Sequence, residues 1–231
     1  QHPTPAFAQE AGMSLAGYRE FVYDAMVRDW GAIDDEQERL RERVAAADEL
    51  RIVAGETDVS MSVEGMVVHS DDARYNLPGG EVFTAPVVDS VEGEAVFDLP
   101  VIAQGTEIED AHLVFENGEV VEYDARTNAD VLGGLLETDE GASRVGEVGI
   151  GTNGAIDRFT RNILFDEKLS GTVHLALGFA YPVTVGEDRE VNESSIHLDM
   201  LIDTSEGRIE LDGEPVQEHG EFVFEEEHLT P

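Results

Sequence analysis

The sequence predicts an α+β fold in which two amino-terminal helices pack on a β-rich, mixed-sheet body. Three observations carry that prediction. Apolar residues recur at helical spacing between Ser14 and Trp30, short β-like runs broken by turn residues take over after Glu49, and 41% of the 231 residues are hydrophobic, enough to bury a core. Strands that follow the helices as a block, instead of alternating with them, indicate segregated layers.

Residues 1–13, rich in proline and alanine, read as irregular. Ser14 is placed to cap a helix running to about Trp30, with Tyr18, Phe21, Val22, Ala25 and Met26 on one face. A second helix is expected from about Asp34 to Ala47. Asp34, Asp35 and Glu36 suit its positive amino end, and Glu38, Arg41 and Arg43 form a solvated face. Strands are then expected at 51–54, 58–63, 65–69, 82–85, 92–99, 111–116 and 119–124, the last two joined by the hairpin signal Asn117-Gly118. A short helix over 128–137 precedes strands at 144–151, 172–178, 195–202, 208–211 and 221–224, with Asp212-Gly213 as a turn. No repeat, low-complexity block or linker interrupts the chain, so residues 1–231 are expected to form a single domain.

Charge narrows the partners. Fifty-one acidic residues against 14 basic ones give −37, which repels nucleic acid and anionic lipid. No run of about eighteen apolar residues exists to span a membrane. Acid spread along the whole chain, a single lysine (Lys168) and no cysteine resemble a halophilic, haloarchaeal-like cytoplasmic protein, so the surplus reports habitat more than chemistry. The segment Gln1-His2-Pro3-Thr4-Pro5 has neither the basic nor the apolar part of a leader and no initiator methionine, and a fragment of a longer protein is expected. Without cysteine, any metal must sit on oxygen and imidazole.

Ser195-Ile196-His197-Leu198-Asp199-Met200-Leu201 is the most informative run. Side chains two apart leave the same face of a strand, so His197 and Asp199 point together. His174 lies among apolar neighbours in 172–178, and Glu147 is a lone carboxylate in the glycine-rich run 145–150. Glu81 follows Asn76-Leu77-Pro78-Gly79-Gly80, a turn whose glycines allow close backbone approach, and Glu167 ends Ile163-Leu164-Phe165-Asp166-Glu167. Each position also has a plainer reading. His174 can be a satisfied core histidine, Asp199 can simply orient His197, and Glu147 can pair with Arg144 or Arg158. Glu81 and Glu167 can be solvated acids, and Tyr181 beside Pro182 a turn aromatic. Asp139 and Glu140 suit turn and helix-end chemistry. His2, His69, His112, His219 and His228 fall outside any matching motif.

Four strings change the balance. Asn76-Leu77-Pro78-Gly79-Gly80-Glu81-Val82-Phe83-Thr84-Ala85-Pro86, Thr138-Asp139-Glu140-Gly141-Ala142-Ser143-Arg144-Val145-Gly146-Glu147-Val148, Leu164-Phe165-Asp166-Glu167-Lys168 and His174-Leu175-Ala176-Leu177-Gly178-Phe179-Ala180-Tyr181-Pro182 resemble, in order, the thermophilic metallopeptidase family typified by aminopeptidases T and S. The similarity runs through almost the whole chain. It implies a metal-dependent aminopeptidase holding two divalent ions (Zn²⁺, Co²⁺ or Mn²⁺) on Glu81, Glu147, Glu167, His174, His197 and Asp199. Tyr181 would be the catalytic phenol and Glu81 or Glu147 the base. It further implies peptide substrates, a homodimer, and an additional amino-terminal domain that this chain lacks. The segment Lys168–Val173 is about two residues longer than the family pattern. Two other classes stay open on the residues alone: a non-catalytic acidic cation-binding or assembly fragment, and a dimetal hydrolase of another bond.

Overall fold

A computed structural model describes residues 2–226, and the expected α+β architecture is what it contains. Three helices lead the chain: α1 (Pro5–Glu10), α2 (Leu15–Met26) and α3 (Trp30–Ala46). The first falls where irregular chain was expected, because Thr4 accepts from the Phe7 N–H and Pro5 suits a first helical turn. The break after Met26 corrects the expectation that α2 reaches Trp30. Asp29 caps α3 by accepting from Ala32 N–H, and the Trp30 indole donates to the Met26 carbonyl at 3.0 Å, satisfying an orphan group of α2.

Fifteen strands follow: β1 (Glu49–Ala54), β2 (Thr57–Ser62), β3 (His69–Asp71), β4 (Glu81–Thr84), β5 (Glu92–Phe97), β6 (Val101–Ala103), β7 (Thr106–Ile108), β8 (Ala111–Glu116), β9 (Glu119–Asp124), β10 (Val145–Gly151), β11 (Thr172–Gly178), β12 (His197–Asp203), β13 (Arg208–Leu211), β14 (Glu214–Glu218) and β15 (Glu221–Phe222). Helix α4 (Ala129–Leu136) precedes β10, α5 (Ile163–Asp166) precedes β11, and α6 (Val223–Glu226) ends the described chain. The expected strand at 65–69 starts only at His69. Upstream of it the Val67 N–H goes to the Thr184 carbonyl, and the Val67 carbonyl accepts from the Thr84 hydroxyl, so neither serves a ladder.

An eight-stranded sheet runs β15-β14-β13-β1-β2-β5-β8-β9, a five-stranded sheet runs β12-β11-β10-β4-β3, and β6-β7 make a separate hairpin. The paired strands are antiparallel throughout, not mixed. The turn between β8 and β9 has Asn117 at φ 51° and Gly118 at φ 78°, the left-handed pair a two-residue hairpin needs. Both large sheets feed one core, with Ile52, Val59 and Leu113 from the first and Val82, Ile150, Leu175 and Met200 from the second. Burying side chains of this size stabilises the fold by roughly 1.5–3 kcal/mol each.

The helices fix the margins of the smaller sheet. Tyr18, Phe21, Val22 and Ala25 of α2 pack with Phe165 of α5, while Leu40 and Val44 of α3 enter the main core. Gln37 of α3 is buried. Its amide donates to the Asp71 and Glu81 carbonyls and to the Thr152 hydroxyl, pinning α3 to β3 and β4. No helix among the described residues is long and apolar enough to cross a membrane.

Candidate metal centre

The register of the five-stranded sheet decides which side chains meet. Gly149 of β10 stands opposite His174 of β11 and Phe83 of β4, Ala176 opposite Glu147 and Asp199, Gly178 opposite His197, and Glu81 opposite Gly151 and Asp71. Directly opposed residues share a face. His69, Asp71, Glu81, Phe83, Glu147, His174, His197 and Asp199 therefore occupy one side. The alternate residues Val82, Val148, Ile150, Val173, Leu175, Met200 and Ile202 form the core side. Glycine and alanine between the polar residues leave space above the sheet: a Cβ on Gly149 would lie 2.1 Å from His174 Cε1.

Two groups of donor atoms converge there. Glu81, Glu147 and His174 form one, and Glu147, His197 and Asp199 the other, each with its ligand atoms within 4.8 Å of one another. Glu147 belongs to both. His174 Nε2 lies 3.2 Å from Glu147 Oε1 and 3.6 Å from Glu81 Oε2. His197 Nε2 lies 3.4 Å from Asp199 Oδ1, while its Nδ1 is held 2.8 Å from the Phe179 carbonyl, which leaves Nε2 for the site.

The surroundings of these residues bear on several of their plainer readings. Arg144 pairs with Glu119 and Arg158 with Asp157, so neither engages Glu147. Glu81 is only 6% exposed and His174 is fully buried. Glu167 lines the same cavity yet joins neither convergent group, because its carboxylate accepts from the Lys168 ammonium. Tyr181 is 43% exposed at the cavity rim, its ring 5.1 Å from that of His197 and edge-on to Phe179. The cavity encloses about 490 Å³ and is lined by Glu81, Glu147, Glu167, His197, Asp199 and Tyr181 among others.

Electrostatics follow from burying so many acids together. Burial pushes the Glu81 carboxyl up to about 8 against the pull of Lys168. Burial alone would lower His174, but the Glu147 hydrogen bond and the charges of Glu81 and Asp199 outweigh it and raise the imidazole to about 9. His197 is raised to about 9 as well, burial being overcome by the Asp199 carboxylate 3.4 Å from its Nε2. Burial raises Glu167. Asp199 ends below its ordinary value because His197, His174 and Lys168 together exceed the effect of its burial.

A divalent ion fits this donor set. Glu147 Oε2, Asp199 Oδ1 and His174 Nδ1 are buried with no hydrogen-bond partner, and leaving such groups unsatisfied costs about 1–3 kcal/mol each. The donors are carboxylate oxygen and imidazole nitrogen without sulfur, a set that suits a divalent cation.

Four residues of the site were not among the expected ligands, although Lys168 and Phe83 lie within the strings that carry the family resemblance. Lys168 is fully buried between Glu81 and Glu167. Asp71 is buried beside Glu81; its Oδ1 accepts from the backbone of Ala73, Tyr75 and Asn76. Phe83 lines the cavity, and His69, set aside in the sequence, stacks on it and bonds the Val183 carbonyl at 3.0 Å. The lone lysine among arginines was the available signal for Lys168. Of the other unassigned histidines, His228 lies outside the described residues.

Comparison with known proteins identifies the family. The chain is 34% identical over 190 residues to aminopeptidase 2 of Geobacillus stearothermophilus, covering 71% of this chain and 46% of that protein. It is 39% identical over 153 residues to aminopeptidase T of Thermus thermophilus, covering 60% of this chain and 36% of that protein. The solved structure of AmpT from Thermus thermophilus superposes with a TM-score of 0.81 at 28% identity, over 96% of this chain and 63% of that one. A 2,5-dihydroxypyridine dioxygenase from Pseudomonas putida superposes with a TM-score of 0.68 at 18% identity, over 88% of this chain and 62% of that one, a likeness of fold alone. The chain thus spans less than half the length of these curated relatives. The sequence profile described as thermophilic metalloprotease (M29) matches residues 1–226, and the chain belongs to that family.

Proposed function

We propose that this chain is the catalytic portion of a metal-dependent aminopeptidase whose centre holds two divalent ions, zinc, cobalt or manganese, and removes amino-terminal residues from peptides. The observation that carries the reading is the sharing of Glu147 between two convergent donor groups. A carboxylate common to two triads is what a pair of neighbouring cations requires. Glu81 and His174 would complete one position, and His197 and Asp199 the other. Glu167 is a further candidate ligand whose present partner is Lys168.

Bound ions would supply Lewis-acid polarisation of the scissile carbonyl and acidify a water at neutral pH. The protein's own groups do the rest. Glu81 and Glu147 line the cavity, and Glu147, or Glu81 once bound cations drew its raised carboxyl down, would take a proton from water. Burial and the surrounding carboxylates raise the Tyr181 phenol, so it stays protonated at neutral pH and can donate to a developing oxyanion. Its ring is held by Phe179 and His197, which orients the hydroxyl at the rim. The acidic cavity also attracts the positive amino terminus of a peptide.

Release of p-nitroaniline from aminoacyl p-nitroanilides by the full chain, in high KCl with added Co²⁺ or Zn²⁺, tests the reading. Hydrolysis abolished by chelator and restored by metal is expected. Absence of any chelator-sensitive hydrolysis would overturn it.

A further inference from the structure

Thirteen of the fourteen basic residues of this chain are arginines, and the fourteenth, Lys168, is fully buried. A compact ammonium with three donors suits an enclosed space that a planar guanidinium fork does not. Lys168 Nζ lies 3.1 Å from Glu81 Oε1 and also donates to Glu167. Its backbone is fixed as well, donating to the Phe165 carbonyl at 3.0 Å and accepting from Asn153 N–H at 3.0 Å. Phe165 is itself anchored against Phe21, with ring centroids 5.4 Å apart. The ammonium therefore approaches the sheet from a firm support.

The two oxygens of Glu81 divide their work. Oε1 is held by Lys168, and Oε2 faces His174 Nε2 at 3.6 Å. Lys168 makes no hydrogen bond to Glu147, His197 or Asp199, so its geometric hold falls on one donor group only. Asp71, Glu81, Glu147, Glu167 and Asp199 all line the cavity, and of these Lys168 donates to Glu81 and Glu167 alone.

We propose that Lys168 is a positioning residue: by gripping Glu81 Oε1 it aims Oε2 at the space shared with Glu147 and His174, and so sets cation affinity at that position and not at the Glu147–His197–Asp199 position. The inference rests on the metal-centre reading above.

Titration of the metal-free full chain with Co²⁺, followed by visible absorption and calorimetry, tests it. Two binding steps are expected in the parent protein. Glu81→Gln identifies the step belonging to His197 and Asp199, and Asp199→Asn identifies the step belonging to Glu81 and His174. Lys168→Met is expected to weaken the latter step by about tenfold or more while the other hardly moves. In Lys168→Ala, ethylammonium is expected to restore the weakened step where ethanol at equal concentration does not. That variant decides the matter if Lys168→Met fails to fold, and restoration by neither compound, or by ethanol, overturns the inference. Equal binding in Lys168→Met and parent, or equal weakening of both steps, overturns it while leaving the metal centre intact. A parent chain that binds no Co²⁺ removes both the centre and the role of Lys168.

Discussion

The Asp139 carboxylate accepts the Ser195 N–H at 2.8 Å and its hydroxyl at 2.5 Å, tying the turn after α4 to the segment that leads into β12. Ser194 adds a third bond at 2.7 Å. These bonds, from Ser195 first, hold Asp139 down to about 2. A carboxyl whose folded value lies below its unfolded value of roughly 3.9 stabilises the fold above that value, and the contribution is lost as pH falls through the folded one. Asp139→Ala should therefore melt below the parent at pH 7, with the difference closing between about pH 4 and about 2. Thermal melts across that range check it. A gap that persists at the acid end would point to packing instead of charge.

Gly149 faces His174 across the β10–β11 ladder, and an alanine there would bring its Cβ to 2.1 Å from Cε1 and 2.3 Å from Nε2. The imidazole has no exposed direction in which to yield. Gly149→Ala is expected to destabilise the protein by about 1–3 kcal/mol, the usual cost of overpacking, and to displace His174 from the donor group. Denaturant melts read the first effect, and loss of one Co²⁺ binding step reads the second.

Glu147 belongs to both convergent groups, so its loss should be felt at both of the proposed cation positions. Saturating Co²⁺ at about a hundred times its dissociation constant is worth about 2.7 kcal/mol of stability per site. The parent should gain thermal stability on metal addition, and Glu147→Gln should gain little. Differential scanning calorimetry with and without Co²⁺ measures this, and a variant that gains as much as the parent would remove Glu147 from the centre.

Tyr181 touches its neighbours through its ring, so Tyr181→Phe preserves the packing against Phe179 and His197 and deletes only the donor. A group that acts only on the oxyanion should cost kcat about a hundredfold and leave KM nearly unchanged. Steady-state kinetics on an aminoacyl p-nitroanilide separate the two parameters. Unchanged kcat would end the assignment.

Much of this architecture was legible from local chemistry. Ser14 does cap α2, Asn117-Gly118 does close a hairpin, and the runs over 111–116, 119–124, 172–178 and 208–211 are strands with those bounds. Alternation within β12 also put His197 and Asp199 on one face. What escaped depends on partners distant in sequence. The hairpin partner β14 carries Pro215 beside a register shift, so its alternation is blurred. His69 and Asp71 look like polar turn residues until β3 pairs with β4 and sets them next to Phe83 and Glu81. Gln37 reads as one more polar position on α3, yet its amide serves two carbonyls more than thirty residues away. Composition and its place at the end of the string Leu164-Phe165-Asp166-Glu167-Lys168 single out Lys168, but neither announces that it turns inward.

Because β4, β10, β11 and β12 each contribute their polar groups at alternate positions, sliding any one strand by a single residue would trade its acid or imidazole for an aliphatic side chain. The proposed pair of cations, drawing between them on groups from all four strands, would thus gauge their alignment, gripping only chains threaded in the native frame. Refolding in the presence of Co²⁺ should accordingly select correctly aligned molecules from misaligned ones.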